Sequence, residues 1–175
     1  MNGDGDPTDV LLLITALEGG AAAVAVVVGV VTFIITSRRE RVLRRAELVR
    51  QYTVDFHESR GVSQMYEDIE HRRLRFDAES WLGKEPEMTA VRMLDLFNSL
   101  GHNWRHGVLE LDDIHGTTLG RAALITSRSS AIREYLATLP VHGEGASSTG
   151  THFDYFRRLA AALEQRARPG APAPP

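Results

Sequence analysis

The chain contains no cysteine, which excludes disulfides, thiol nucleophiles and thiolate metal sites. Three motifs with a defined chemical role are also missing: the dinucleotide fingerprint GxGxxG, the phosphate-binding P-loop and the zinc-binding HExxH. No short window alternates between apolar and polar side chains as a half-buried strand does. These absences predict an all-α protein without a cofactor, and they favour a protein that acts through binding over an enzyme.

One stretch of the chain has no charge at all: the 18 residues from Gly19 to Thr36. As a helix this stretch is roughly 27 Å long, close to the hydrocarbon thickness of a bilayer. No basic residue precedes it, whereas five arginines follow it at once: Arg38, Arg39, Arg41, Arg44 and Arg45. A cleaved signal peptide has the opposite order of charges, and basic residues favour the cytoplasmic flank of a span. The sequence therefore predicts an uncleaved, single-pass anchor in the plasma (inner) membrane with the N-terminus outside.

The apolar stretch begins at Val10, so the anchor covers residues 10–36 and leaves an acidic extracytoplasmic tail of residues 1–9. Glu18 interrupts this stretch, and we place it at the outer interface, although a tilted longer span would draw it into the bilayer. Small residues recur every four positions at Ala21, Ala25 and Gly29, a spacing that lets two transmembrane helices pack closely. Self-association through this face is a hypothesis, as is regulation of an ion-conducting partner through the span and Glu18.

The remaining 139 residues, 37–175, are long enough for one small domain with a single core. They hold all 20 basic residues and 19 of the 23 acidic ones, so that the two signs of charge nearly balance. Only the arginine cluster forms a strongly basic segment. This balance excludes the basic field that nucleic-acid binding requires, and we expect no nucleic acid as a partner. The cluster itself is expected to lie at the anionic membrane surface, which makes the lipid bilayer a partner.

Apolar residues at helical spacing predict about five helices in this domain. The first follows the span to about Ser59, with Val42, Val49 and Phe56 on one face, and Gly61 is expected to stop it. Ser63 is expected to cap a second helix that reaches Phe76. Pro86 opens a third, and Leu111 begins a fourth that runs to Thr138 with interruptions near Gly116 and Gly120.

The domain is predicted to cover residues 37–140, followed by a flexible Gly/Ser loop at 141–150 and a closing helix at 151–167. The Pro-rich end, residues 168–175, is predicted to be disordered. The predicted fold is thus an N-terminal transmembrane helix followed by an irregular cytoplasmic bundle of about five helices.

The order of these features resembles a bacterial family catalogued as domain of unknown function 4760. The residues that carry the resemblance follow the single span and the basic helix: Tyr66, Arg72, Arg73, Phe97, Asn98, Arg105, Gly107, Asp112, Asp113, Arg133, Phe156 and Leu159. The resemblance covers most of the cytoplasmic chain. It implies a helical, membrane-tethered protein and supplies no known reaction.

Three pairs of side chains have a spacing that can hold a metal ion. His102 and His106 stand four residues apart, and two acid-x-x-His pairs add candidates: Asp68 with His71, and Asp112 with His115. If these pairs converged in the bundle, they could serve a membrane-tethered, metal-dependent hydrolase or oxidase. We favour the other class, a membrane-held adaptor, sensor or regulatory module that binds a protein partner or a second copy of itself through the small-residue face or the helical domain.

Overall fold

The computed structural model describes the backbone of residues 7–139 and 153–168, and the side chains of residues 28–139 and 153–168. Every regular element within these ranges is a helix, which confirms the predicted all-α class. The helices are α1 (Pro7–Glu58), α2 (Arg60–Glu70), α3 (Ala78–Trp81), α4 (Glu85–Arg105), α5 (Leu111–His115), α6 (Thr118–Arg128), α7 (Ser130–Thr138) and α8 (Asp154–Arg166). The chain divides into two compact units, residues 1–44 and residues 45–175, and α1 belongs to both.

The first unit consists of the larger part of α1. This helix has no break where the sequence predicts that the span passes into the basic helix. The apolar side chains between Val28 and Ile35 are all exposed, Phe33 to 71%. Within the described part of the chain, no helix combines the length and the apolarity needed to cross a bilayer. The side chains of residues 1–27, which include the acidic tail, Glu18 and the first half of the predicted span, lie outside the described residues.

The second unit is built around α4, whose most extensive packing is against α8. Both helices bury the faces that the sequence predicts: Ala90, Met93, Leu94, Phe97 and Leu100 on α4, and Phe156, Leu159, Ala160 and Leu163 on α8. A row of three rings joins α1, α4 and α8, because Phe97 lies 5.9 Å from Phe56 and 5.8 Å from Phe156 between ring centroids. The apolar faces therefore meet in one core, as the spacing predicts.

The contact between α4 and α8 depends on a residue without a side chain. Gly101 is buried, and a Cβ atom at this position would clash with the backbone carbonyl of Tyr155. A neighbouring polar contact fixes the start of α8, since the backbone N–H of Phe156 donates to Asn98 Oδ1 at 3.2 Å. These two contacts set the close packing of α8 on α4.

The prediction for the junction between the first two helices is wrong. Gly61 does not stop a helix, because it lies in the first turn of α2, and the break falls at Ser59. Ser63 does not cap the start of α2. Its hydroxyl instead donates to the carbonyl oxygens at the end of α1, Phe56 O at 3.0 Å and His57 O at 3.1 Å. Ser63 thus satisfies acceptors that the end of α1 leaves open.

The predicted extent of the second helix is also wrong. It ends at Glu70, and Arg72 adopts a left-handed backbone with φ of 56°, which turns the chain away from the helix direction. Phe76 still reaches the core, where its ring packs 5.2 Å from Trp81 and 6.1 Å from Tyr135. The prediction that Phe76 lies in the core is therefore correct, whereas the prediction that it belongs to the second helix is wrong.

The predicted fourth helix consists of three short helices, α5, α6 and α7. The first break falls at Gly116 and Thr117, and Thr117 caps α6 through a 3.2 Å bond from Gly120 N to its hydroxyl. Gly120 lies inside α6, where a Cβ atom would clash with the carbonyl of Ile114. The second break falls at Ser129, which has an extended backbone.

Two further predictions concern the ends of the unit. Val49 and Phe56 are buried as predicted for the α1 face, whereas Val42 is exposed. The predicted loop at 141–150 and the Pro-rich end beyond residue 168 lie outside the described residues.

Candidate functional site

A basic cleft of about 510 Å³ lies between the end of α2, one face of α6 and the start of α7. We call it the basic cleft throughout. Three arginines and one carboxylate line it, together with apolar and hydroxyl side chains: Arg72, Arg121, Arg128, Glu70, Ile69, Leu74, Ile125, Ser129 and Ser130. Three guanidinium groups against one carboxylate give the lining an excess of positive charge.

The three arginines differ in their partners. Arg121 Nη2 lies 2.8 Å from Glu70 Oε1, and Arg128 Nη2 lies 2.9 Å from Glu164 Oε1. The Arg72 side chain is exposed and has no hydrogen bond or ion pair to any described residue. One full positive charge in the cleft is therefore not paired with a carboxylate.

The start of α7 adds hydrogen-bond donors to the same cleft. Ser129 occupies the N-cap position, but its side chain makes no hydrogen bond to the helix. The first backbone bond of the helix runs from Arg133 N to Ser129 O, so the N–H groups of the preceding turn lack a capping side chain. Ser129 and Ser130, at the start of this turn, line the cleft.

Sequence reasoning missed this cleft. The contributing arginines are separated by about fifty residues, and only the packing of α2 on α6 brings Arg72 near Arg121 and Arg128. The available sequence signal was the pair of serines after Arg128, at the start of a helix.

A second concave surface, of about 410 Å³, lies between α7 and α8. We call it the apolar groove. Apolar side chains form the larger part of its lining, together with three charged ones and a serine: Leu136, Ala137, Phe156, Ala160 and Ala161, with Arg133, Arg157, Glu164 and Ser127. Glu164 pairs with Arg128, so an ion pair joins a side chain of the groove to a side chain of the basic cleft.

The two histidines at i, i+4 spacing do lie together. The ring centroids of His102 and His106 are 4.3 Å apart, and the Tyr155 ring packs edge-on against His102 at 4.9 Å. Both histidines lie at the end of α4, where basic side chains complement the partial negative charge of the helix terminus. No carboxylate joins them: among the described residues, no three His, Asp or Glu side chains form a group that could hold a metal ion.

The other candidate ligands lie elsewhere and have other partners. Asp68 forms an ion pair with Arg73 at 3.1 Å, and His71 Nδ1 donates to the carbonyl oxygen of Glu67 at 2.8 Å. Asp112 pairs with Arg166 at 3.0 Å. His115 lines a shallow surface pocket beside α6. The structure therefore does not bring the six predicted ligands together.

The predicted membrane-surface arginines fall into two groups. Arg45 lies within the second unit and has two acidic neighbours, Glu110 at 2.5 Å and Asp113 at 3.8 Å. These carboxylates form the capping box at the start of α5. Arg38, Arg39, Arg41 and Arg44 belong to the first unit, and none of them forms an ion pair with a described residue. Of the five predicted membrane-surface arginines, Arg45 is therefore the one that pairs with a described carboxylate.

One buried tyrosine has a strongly shifted pKa. Tyr135 is 1% exposed, and its hydroxyl donates to Glu87 Oε1 at 3.2 Å. Burial and the nearby negative charge of Glu87 raise the pKa of Tyr135 to about 12. Glu87 also accepts a bond of 2.6 Å from Gly83 N, so this contact ties α7 to the turn before α4. Its surroundings of core aromatic rings indicate a structural role.

Comparisons with family models, with curated proteins and with solved structures find no match for this chain. The resemblance to family 4760 stays a prediction. The small-residue face is described only at Gly29, where a Cβ atom would meet no neighbour within 4 Å, and Ala21 and Ala25 lie outside the described side chains.

Proposed function

We propose that this protein is a single-pass membrane protein whose cytoplasmic helical domain acts by binding, as an adaptor, sensor or regulatory module. The uncharged run from Gly19 to Thr36, followed directly by arginines, is the observation that carries this proposal. The N-terminus lies outside the cell, and residues 37–175 lie in the cytoplasm.

The exposed side chains of the first unit support the anchor. From Val28 to Ile35 the helix exposes apolar side chains around its circumference and no charge. Contiguous apolar surface of this kind marks a membrane or protein contact, because exposure to water carries a free-energy cost of about 25 cal/mol per Å². The next two turns carry Arg38, Arg39, Arg41 and Arg44, which form no ion pair with a described residue and suit the anionic surface of the inner leaflet.

The second unit supports the binding role. It combines a buried apolar core with two concave surfaces of different character, the basic cleft and the apolar groove, and residues of α7 line both. A rigid scaffold with a charged and an apolar recess is suited to hold a ligand or a peptide segment at the membrane. A metal-dependent reaction requires the histidines and carboxylates to converge, and the described positions of these residues do not favour it.

The experiment that tests the anchor compares two matched pairs of substitutions in the full chain. Val28→Arg with Val30→Arg places two charges inside the uncharged run, at a cost of about 2.5–3.5 kcal/mol each in a bilayer. Val42→Arg with Leu43→Arg changes two equally exposed apolar residues outside it. After alkaline carbonate extraction, the natural chain and the control pair are expected in the membrane pellet, and the first pair in the supernatant. Release of the natural chain by carbonate would overturn the proposal.

A further inference from the structure

The basic cleft holds more positive charge than its own carboxylates compensate. Arg121 pairs with Glu70, and Arg128 pairs with Glu164. Because a guanidinium group has five N–H donors, both arginines retain donors after pairing. The Arg72 side chain uses none of its donors on described residues. Arginine is the side chain best suited to bidentate contact with a phosphate group. The cleft therefore has one uncompensated positive charge and several N–H donors for an anion.

The start of α7 contributes independently of the arginines. Its first-turn N–H groups and the hydroxyls of Ser129 and Ser130 face no capping partner among the described residues. An anion beside such a turn accepts bonds from these N–H groups and interacts favourably with the helix dipole. Arginines on α6 and after α2, together with this turn, surround one volume from three sides.

The volume of the cleft limits the size of the ligand. About 510 Å³ falls within the range of roughly 300–1,000 Å³ that small-molecule sites occupy. A phosphate group alone fills only part of it. Ile69, Leu74 and Ile125 supply an apolar wall that a small carbon body attached to the phosphate would contact.

We propose that the basic cleft binds a phosphate monoester, carried either by a soluble small molecule or by a lipid headgroup. This inference rests on the proposed binding role of the domain. Arg72, Arg121 and the first turn of α7 hold the phosphate oxygens, and Arg128 adds charge at the edge of the cleft. Glu70 is the internal competitor, because it occupies Arg121 and repels an incoming anion.

The test is isothermal titration of the full chain, purified in detergent, with glycerol 3-phosphate as the probe. Saturable binding is expected, weakened about tenfold by Arg72→Gln through the loss of a charge-assisted hydrogen bond. Arg75→Gln is the matched control, since Arg75 is an exposed arginine of the same segment that does not line the cleft, and it should change the affinity less than about twofold. Glu70→Gln is expected to tighten binding, because it removes the carboxylate that competes with the ligand for Arg121. Nonspecific attraction to a basic surface predicts a smaller effect of this substitution.

Two results would overturn the proposal: no saturable binding up to roughly 10 mM probe, or equal losses of affinity in Arg72→Gln and Arg75→Gln.

A second experiment, in nanodiscs, determines whether the phosphate belongs to a lipid or to a soluble molecule. If discs containing phosphatidic acid weaken the binding of glycerol 3-phosphate relative to phosphatidylcholine discs, the lipid headgroup occupies the cleft. Unchanged affinity assigns the cleft to a soluble ligand. Carbonate extraction does not depend on this cleft, so a failure here is distinguishable from a failure of the anchor.

Discussion

Arg45 differs from the four arginines before it because its guanidinium group already has acidic partners. Its side chain is 22% exposed, and Glu110 and Asp113 lie beside it at the start of α5. A partly buried guanidinium that joins two elements contributes to stability more than an exposed pair does. The same residue cannot also serve a lipid surface without breaking this contact. In the proposed account, contact with a membrane surface is therefore expected from Arg38, Arg39, Arg41 and Arg44.

We expect Arg45→Gln to lower the free energy of unfolding by about 1 kcal/mol, because Glu110 and Asp113 then lose their positive partner. The matched control is Arg44→Gln, which removes an exposed arginine without an ion pair to any described residue and should leave stability unchanged. Thermal unfolding of the full chain in detergent, followed by circular dichroism, measures both. Equal stability of the two variants would show that the Arg45 contact is energetically neutral.

The helices differ in how far the sequence predicts them, and the reason is their packing. For α4 and α8 the apolar face follows the helical repeat over several turns, so both the helix and its buried residues are predicted correctly. The stretch from Leu111 to Thr138 has the same repeat, and the predicted interruption near Gly116 is confirmed. The one predicted near Gly120 is wrong, because Gly120 lies inside α6, and the break at Ser129 was not predicted. The prediction that Ser63 caps the second helix is also wrong, because its hydroxyl donates to the end of α1.

The basic cleft could not be predicted in the same way. In the sequence, each of its three arginines is indistinguishable from an ordinary surface charge. Its actual position follows from a left-handed backbone after α2, which no local pattern indicates. The two histidines of the predicted pair do lie together, yet within the described ranges no third His, Asp or Glu side chain completes a group that could hold a metal ion.

The packing of α8 on α4 gives a prediction for a pair of helices. Gly101→Ala places a methyl group against the backbone carbonyl of Tyr155, so that α8 must move, and we expect a loss of about 1–3 kcal/mol in unfolding free energy. Gly116→Ala is the control, because a Cβ atom there meets no neighbour within 4 Å and its φ of −81° suits any residue. Urea unfolding of the full-length variants measures the difference. Equal stability of the two alanine variants would contradict the close approach of the helices.

For the whole molecule, the proposals describe a cytoplasmic binding domain on a membrane anchor. The two compact units match this division of roles, since the first contains the apolar run and four arginines and the second contains the core and both concave surfaces. A phosphate ligand and a membrane surface both require positive charge, but the two sets of arginines are distinct. Binding in the cleft and attachment to the bilayer are therefore expected to be separable by substitution.

The orientation of the chain tests this account most directly, and the absence of cysteine makes the measurement simple, because any introduced cysteine is the only one. Asn2→Cys and Ser80→Cys are expressed separately, and intact cells are treated with a membrane-impermeant maleimide. The account predicts labelling at position 2 without opening the membrane, and labelling of the exposed position 80 only after the membrane is opened. Labelling of position 80 in intact cells, or of neither position until the membrane is opened, would contradict it.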